Sequence, residues 1–180
     1  GKLTIEGEEN IIPYLTTEVK NGSLILDFKK NTNISTKRAF TITVPVKDID
    51  LVSLSGSGNI TSTSTLKGSN LKLSIGGSGN IKVNVDSNNL KTRISGSGNI
   101  KVAGTSNQLD CVISGSGNIN AYNLDVDETD AKITGSGNIK TTVKTKITAK
   151  ILGSGDIYYK GHPKYVDSNT LGSGGIVDKN

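Results

Sequence analysis

The chain has 180 residues, of which 33% are hydrophobic and 22 are glycine, so a broad core of large apolar side chains is excluded. Its formal net charge is +5, from 21 basic and 16 acidic residues spread along the chain. Nucleic-acid recognition needs a clustered basic face with stacking aromatics, and only five tyrosines and two phenylalanines are present, so we expect no nucleic-acid partner.

No apolar run approaches the ~20 residues that a transmembrane helix needs, so no transmembrane segment is expected within this chain. The single cysteine, Cys111, cannot form an intramolecular disulfide. No motif for a metal or an organic cofactor is apparent, and we expect neither.

The first 50 residues carry strand signals but no repeat. Residues 24–26 and 40–44 are rich in β-branched and apolar side chains, as strands are. Asn21-Gly22 predicts a hairpin turn between residues 17–19 and 24–26, because this pair favours the left-handed turn that joins adjacent antiparallel strands.

From residue 56 onward, one pentapeptide motif occurs seven times, five times as GSGNI and then as GSGDI and GSGGI. Successive copies are 18 to 21 residues apart, a period typical of solenoids, in which each coil buries its apolar face against the next. We therefore predict an all-β fold, a parallel β-solenoid with coils of ~19 residues. It would form a single domain over 1–180, with an irregular cap and the first coils in 1–50 and seven coils in 51–180.

Apolar residues recur at fixed positions of every coil, which predicts columns of inward side chains. Two residues before the first glycine of each motif stand Leu54, Ile75, Ile94, Ile113, Ile133, Ile151 and Thr170. Four before it stand Val52, Leu73, Thr92, Cys111, Ala131 and Ala149. The isoleucine that closes each motif gives a further column, Ile60, Ile81, Ile100, Ile119, Ile139, Ile157 and Ile176.

The Gly-Ser-Gly-Asn segment predicts a tight turn, because glycine and asparagine tolerate positive φ. The predicted turn residues are Gly56, Gly58, Asn59, Gly77, Gly79, Asn80, Gly96, Gly98, Asn99, Gly115, Gly117, Asn118, Gly135, Gly137, Asn138, Gly153, Gly155 and Asp156. The asparagines should stack and hydrogen-bond along the axis. Valine at position 98 should destabilise its turn by being forced toward positive φ.

These repeats, preceded by the V-x-N-G-S-L-I-L segment at residues 19–26, resemble the head GIN domain of putative auto-transporter adhesins. The resemblance implies a right-handed parallel β-helix of pectin-lyase-like shape, with GSG turns between two sheets and without the catalytic residues of that fold. It also implies a secreted protein of the cell surface, outer membrane or periplasm of a Gram-negative bacterium, with a role in adhesion.

Many solenoids of this shape act on carbohydrates, so acidic pairs are candidates for catalysis. Asp110 and Asp130 occupy the same outward position on consecutive coils, where their carboxylates could approach the ~5 to 5.5 Å of a retaining glycosidase. Lys91 precedes them in the same column and Lys132 follows Asp130, so a solvated strand face with alternating charges is the favoured interpretation. We expect no enzyme.

Other chemistry-bearing residues have simple structural explanations. Asp125, Asp127, Glu128 and Asp130 lack the glycine-paced spacing of a calcium loop. His162 has no partner at metal-ligand spacing and reads as a loop residue. Cys111 falls in an inward column, where a free cysteine behaves as a small hydrophobe.

The outward residue after the closing isoleucine is lysine in three coils, which predicts a candidate ligand surface of Lys82, Lys101, Lys140 and Tyr158. Such a stripe could bind an anionic glycan or lipopolysaccharide, although lysines on strand faces also discourage aggregation. Tyr158 and Tyr159, with Tyr165 nearby, could stack on sugars or cap the last coil.

Three functional hypotheses follow. The chain is a non-enzymatic adhesin that contacts a host or bacterial surface glycan or protein, a carbohydrate-active enzyme that uses Asp110 and Asp130, or an envelope module for protein-protein interaction. Homo-oligomers could form through the sheet faces or through the final coil, which has only residues 177–180 beyond its motif.

Overall fold

The structure is a computed structural model that describes residues 2–35 and 40–180. It is almost wholly β and divides into two compact units, Gly1–Lys47 and Asp48–Asn180. The two units differ in strand pairing, since the first contains antiparallel pairs and the second contains parallel ones.

The first unit contains two antiparallel strand pairs and a short 3-10 helix, Ile12–Tyr14. Strand β1 (Thr4–Glu6) pairs with β4 (Thr41–Thr43), and β2 (Leu15–Lys20) pairs with β3 (Ser23–Phe28). The hairpin predicted at Asn21-Gly22 is confirmed, because the two residues have φ of 51° and 78° and join β2 to β3.

The second unit is a parallel β-solenoid with coils of about 19 residues, as predicted. Its nine strands form one continuous sheet, in which each coil pairs with the coil before it and the coil after it. The strands are β5 (Leu51–Gly56), β6 (Asn59–Gly77), β7 (Asn80–Gly96), β8 (Asn99–Gly115), β9 (Asn118–Gly135), β10 (Asn138–Gly153), β11 (Ile157–Lys160), β12 (Tyr165–Gly172) and β13 (Ile176–Asp178).

The predicted columns of apolar residues form the core. Ile94 pairs in register with Ile113, Ile113 pairs with Ile133, and all three side chains are inaccessible to solvent. Cys111 lies fully buried in the neighbouring column, where Thr92 donates a hydrogen bond to its sulfur at 3.2 Å. Each buried isoleucine contributes about 1.5–3 kcal/mol of hydrophobic stabilisation. Because the same positions are buried in coil after coil, the core is stabilised although the chain contains few apolar residues.

The two glycines of each motif have different roles. The first has a positive φ in every copy, as predicted, and Gly96 is representative at 127°. The second is not at positive φ. At Gly98, a Cβ atom would lie 2.5 Å from the carbonyl oxygen of Gly79 and 2.7 Å from Cγ2 of Ile75, so the second glycine permits close contact between consecutive coils.

The prediction that the motif asparagines adopt positive φ is wrong. Among the non-glycine residues that the structure describes, only Asn21 and Asn31 have positive φ. The first glycine alone makes the left-handed step, so the asparagine that begins the next strand can stay extended. The reason given for the cost of valine at position 98 is wrong as well, because the obstacle there is the preceding coil.

The asparagines form a hydrogen-bonded ladder along the axis, as predicted. The Nδ2 atom of Asn80 donates to Oδ1 of Asn59 at 2.8 Å, and Asn99, Asn118 and Asn138 each donate in the same way to the preceding asparagine at 3.0 to 3.1 Å. In the five coils that carry GSGNI, one asparagine amide per coil therefore links neighbouring turns.

Replacing Asn99 by alanine should lower the free energy of unfolding by about 0.5–2 kcal/mol, because the bonds to Asn80 and from Asn118 are both lost on an exposed surface. Chemical denaturation followed by circular dichroism measures this loss. Ser97→Ala, an exposed substitution in the same turn, is the control and should stay within about 0.5 kcal/mol of the parent. Equal stability of the two variants would contradict a stabilising ladder.

Candidate functional site

The predicted lysine stripe lies on the outward side of the strand that follows each turn. Lys82 pairs in register with Lys101, and Lys101 pairs with Asn120 of the next coil. Asn120 pairs with Lys140, which pairs with Tyr158. Lys82 and Lys101 are exposed, whereas Lys140 and Tyr158 are half-buried, so the end of the stripe near the C-terminus makes additional contacts.

Lys140 lies between two tyrosine rings. Its Nζ atom is 5.9 Å from the ring centroid of Tyr122 and 5.9 Å from that of Tyr158. The Nζ atom of Lys160 is 4.9 Å from the Tyr122 centroid, and that of Lys179 is 5.4 Å from the Tyr158 centroid. All four distances are within the range of cation–π attraction. We call these five residues, Tyr122, Lys140, Tyr158, Lys160 and Lys179, the tyrosine–lysine cluster.

Asp156 fixes the hydroxyl end of Tyr158. The Tyr158 hydroxyl donates to Oδ2 of Asp156 at 3.0 Å, and the backbone N–H of Gly175 donates to Oδ1 at 2.8 Å. Asp156 replaces the motif asparagine in this coil, and its own backbone N–H donates to Oδ1 of Asn138 at 3.1 Å. The substitution thus ends the asparagine ladder and anchors a tyrosine of the cluster.

Both phenols of the cluster remain protonated at neutral pH. The hydrogen bond to Asp156 raises the pKa of Tyr158, with smaller contributions from desolvation and from the Asp156 charge. Partial burial raises the pKa of Tyr122. The cluster is therefore cationic, with two neutral rings among three lysines.

A bulge in β9 carries Tyr122. Thr141 and Thr142 are consecutive in β10 but pair with β9 residues four positions apart, which leaves residues 122–124 without partners in β10. The Thr142 hydroxyl donates to the carbonyl oxygen of Tyr122 at 2.8 Å, and the Tyr122 N–H donates to Oδ1 of Asn120 at 3.3 Å. These two bonds hold the bulge, which accommodates the greater length of this coil.

Tyr158, Tyr159 and Tyr165 are close in sequence but their side chains lie apart in the structure. Tyr158 faces outward, whereas Tyr159 packs against the core and its hydroxyl donates to Asp178 at 3.4 Å. Tyr165 lies in β12, beside Lys146 of β10, and is 66% exposed. Tyr122 belongs to the cluster instead, although no sequence pattern predicted it. The one indication in the sequence is that its coil has 20 residues rather than 19, which is compatible with a bulge.

Asp110 and Asp130 are partners in register on neighbouring coils, as predicted, and stand on the outward strand face. Their neighbours in the same row are Lys91 and Thr148. Within the described parts of the chain, neither carboxylate has an ion-pair partner within 4.0 Å. Two open clefts of the second unit are lined by other residues, one around residues 48–50 and 67–70 and one around residues 164–167.

The acidic stretch of β9 binds a lysine of β10. The Nζ atom of Lys144 is 2.8 Å from Oδ2 of Asp125 and 3.8 Å from Oδ1 of Asp127, and this contact raises the pKa of Lys144. In residues 2–35 and 40–180, no group of three or more histidine, cysteine or acidic side chains is placed to hold a metal ion. His162 is exposed between β11 and β12.

Cys111 lies inside the core, as its column predicted. Burial raises the pKa of its thiol to about 12, although the hydrogen bond from Thr92 acts in the opposite direction. The nucleophilic thiolate is therefore scarce at neutral pH, and the residue serves as packing.

The family comparison extends over most of the chain. The model of a family described as "Putative auto-transporter adhesin, head GIN domain" matches residues 1–163. No curated protein matches the chain.

Several solved structures share the fold. A putative adhesin from Bacteroides fragilis is 28% identical with a TM-score of 0.93, and the alignment covers 98% of this chain and 82% of that one. A putative lipid binding protein from Parabacteroides distasonis is 28% identical with a TM-score of 0.79, covering 99% and 84%. A putative adhesin from Parabacteroides merdae is 26% identical with a TM-score of 0.76, covering 99% and 83%.

Proposed function

Because the chain belongs to the head GIN domain family of putative auto-transporter adhesins, we propose that it is a non-enzymatic scaffold that contacts surface glycans. The observation that carries this proposal is the continuous outward row from Lys82 to Tyr158, which is displayed on stacked strands and ends in the tyrosine–lysine cluster. A rigid β-scaffold presents such a row without the entropy cost of ordering a loop.

The cellular setting is part of the proposal. The description of the family as auto-transporter adhesins supports a secreted protein at the cell surface or in the periplasm of a Gram-negative bacterium. Among the residues that the structure describes, no helix has the length and apolar character required to cross a bilayer.

Catalysis by Asp110 and Asp130 has weaker support than adhesion. The two carboxylates stand on an outward strand face and do not line either of the two open clefts described above. A glycosidase has to hold the scissile bond of its substrate in a cleft between the two carboxyl groups, which an open strand face does not provide.

The test is a panel of bacterial, host and dietary glycans, with binding and release of cleavage products measured on the same samples. We expect at least one glycan to bind without cleavage, and the Asp110→Asn/Asp130→Asn double variant to bind it equally well. Cleavage that disappears in the double variant would identify an enzyme instead. Since one structural relative is described as a lipid binding protein, phosphatidylcholine vesicles form a second arm, and binding to vesicles alone would contradict the proposal.

A further inference from the structure

We propose that the tyrosine–lysine cluster is a binding site for acidic saccharides, in which the lysine ammonium groups pair with carboxylates and the phenol rings contact the sugar rings. This inference rests on the proposed function, since it assigns a ligand class and a location to the same surface. The described residues support it through the spacing of the rings, the unpaired charge and the bulge that positions Tyr122.

The two rings are spaced along the solenoid axis at a distance that suits an oligosaccharide. Tyr122 lies in β9 and Tyr158 in β11, and these two strands flank β10. Since neighbouring strands are ~4.8 Å apart, the two tyrosines are separated by roughly 10 Å along the axis, a span comparable to a disaccharide. Lys140, in β10, places its ammonium group between them.

The charge of the cluster is not neutralised internally. Lys140, Lys160 and Lys179 all lie outside the ion pairs formed within the described residues, which involve Lys144. Asp156, which contacts Tyr158, forms no ion pair with these lysines and accepts hydrogen bonds from the Tyr158 hydroxyl and the Gly175 N–H. Three ammonium groups next to partly exposed rings therefore remain available to an anionic ligand.

The bulge in β9 gives the site its shape. Bulges re-aim side chains and occur preferentially beside functional sites. Here the bulge places Leu124 fully inside the core and leaves Tyr122 half-buried on the outward side. A coil of the regular 19 residues would lack the one extra residue of this coil, and the hydrogen bonds from Thr142 and to Asn120 fix the backbone at Tyr122.

An acidic saccharide fits these features better than a neutral sugar does. A neutral sugar would contact the rings but would not neutralise the charge of the three lysines. An acidic sugar pairs its carboxylates with ammonium groups while its ring contacts a phenol, and partial burial of Lys140 and of the two phenols strengthens these contacts.

The experiment is calorimetric titration of the chain with tetragalacturonate, which carries enough carboxylates and pyranose rings to engage all three lysines and both tyrosines of the cluster. The methyl-esterified tetrasaccharide, which keeps the rings and loses the charge, should bind at least about tenfold more weakly. Tyr122→Ala and Lys140→Ala should each weaken binding of tetragalacturonate by about tenfold. Tyr122→Phe, which keeps the ring, should stay within about threefold of the parent.

The control is Lys72→Ala/Lys91→Ala, which removes two exposed charges that pair in register in β6 and β7, on the strand segments before the turns and away from the cluster. This double variant should lose less than about threefold in affinity, and a loss equal to that of Lys140→Ala would show diffuse attraction of a polyanion and overturn the site. If Tyr122→Ala unfolds, the exposed Lys160→Ala variant replaces it, and unchanged affinity of that variant would overturn the proposal.

The two proposals fail in different ways. If tetragalacturonate does not bind while another glycan of the panel does, the acidic-saccharide site is wrong and the adhesive function stands. If no glycan binds at all, both are wrong. Binding that survives Tyr122→Ala and Lys140→Ala unchanged places the ligand elsewhere on the solenoid and also overturns this site.

Discussion

Gly98→Ala should lower the free energy of unfolding by roughly 2–3 kcal/mol, although alanine is the smallest possible addition. The new methyl group would lie 2.5 Å from the carbonyl oxygen of Gly79 and 2.7 Å from Cγ2 of Ile75, so either the turn or the preceding coil must move. Thermal and urea denaturation followed by circular dichroism would show a lower midpoint. Because the coils are coupled mainly to their neighbours, the transition should also broaden.

Two further variants identify the cause of this loss. Gly76→Ala adds the same methyl group one coil earlier at a position with no atom within 4 Å, so it should stay within about 0.5 kcal/mol of the parent. Gly98→Asn should be at least as destabilising as Gly98→Ala, because the obstacle is the neighbouring coil. If asparagine restores stability at position 98, the glycine is required for its backbone conformation instead.

Ile119→Ala should lower the free energy of unfolding by about 2–5 kcal/mol, the range measured for large cavities in protein cores. Ile119 is fully buried and pairs in register with Ile100 on one side and Ile139 on the other. Removal of its side chain therefore leaves a void between two coils that cannot collapse without breaking the register of the strands.

The matched control for this prediction is Ile176→Ala in the same column. Ile176 lies in the last coil, is only partly buried and pairs with Ile157 alone. Its replacement should cost less than half as much as Ile119→Ala, because less buried apolar surface is lost with a partly buried side chain. Equal losses would show that the terminal coil is as tightly packed as the central ones.

The fold of the second unit could be predicted because two independent periodicities coincide in its sequence. Alternation within each coil assigned Ile94, Ile113 and Ile133 to the inward face, and the repeat of the GSGNI motif placed them above one another. The exposed ladder that starts at Asn59 followed from the same register, since identical side chains in stacked turns must meet.

The distinct roles of the two motif glycines could not be predicted in this way. Gly96 and Gly98 look equivalent in the sequence, and both were assigned to positive φ. Only the three-dimensional register shows that Gly96 makes the left-handed step and that Gly98 faces the carbonyl oxygen of Gly79. Backbone contacts between coils leave no trace in the pattern of side chains apart from the glycine itself.

The tyrosine–lysine cluster was predicted only in part. Lys140 and Tyr158 followed from a shared outward position, whereas Tyr122 depends on a bulge and Lys179 on the irregular last coil. The grouping of Tyr159 with Tyr158 was also misleading, because side chains alternate along a strand and Tyr159 therefore faces the core. A constant repeat predicts the residues that recur in every coil. A site that depends on irregular coils can be located only when the register of the strands is known.

The stacking of coils also determines how the second unit would respond to mechanical force. Each coil is held mainly by backbone hydrogen bonds and buried side chains of the adjacent coils. When this 180-residue chain is pulled at Asn180, the tension would therefore detach β13, β12 and β11 first and then whole coils one after another. Each detached coil of about 19 residues would release roughly 60 Å of chain, so the solenoid would act as an extensible tether that yields in steps.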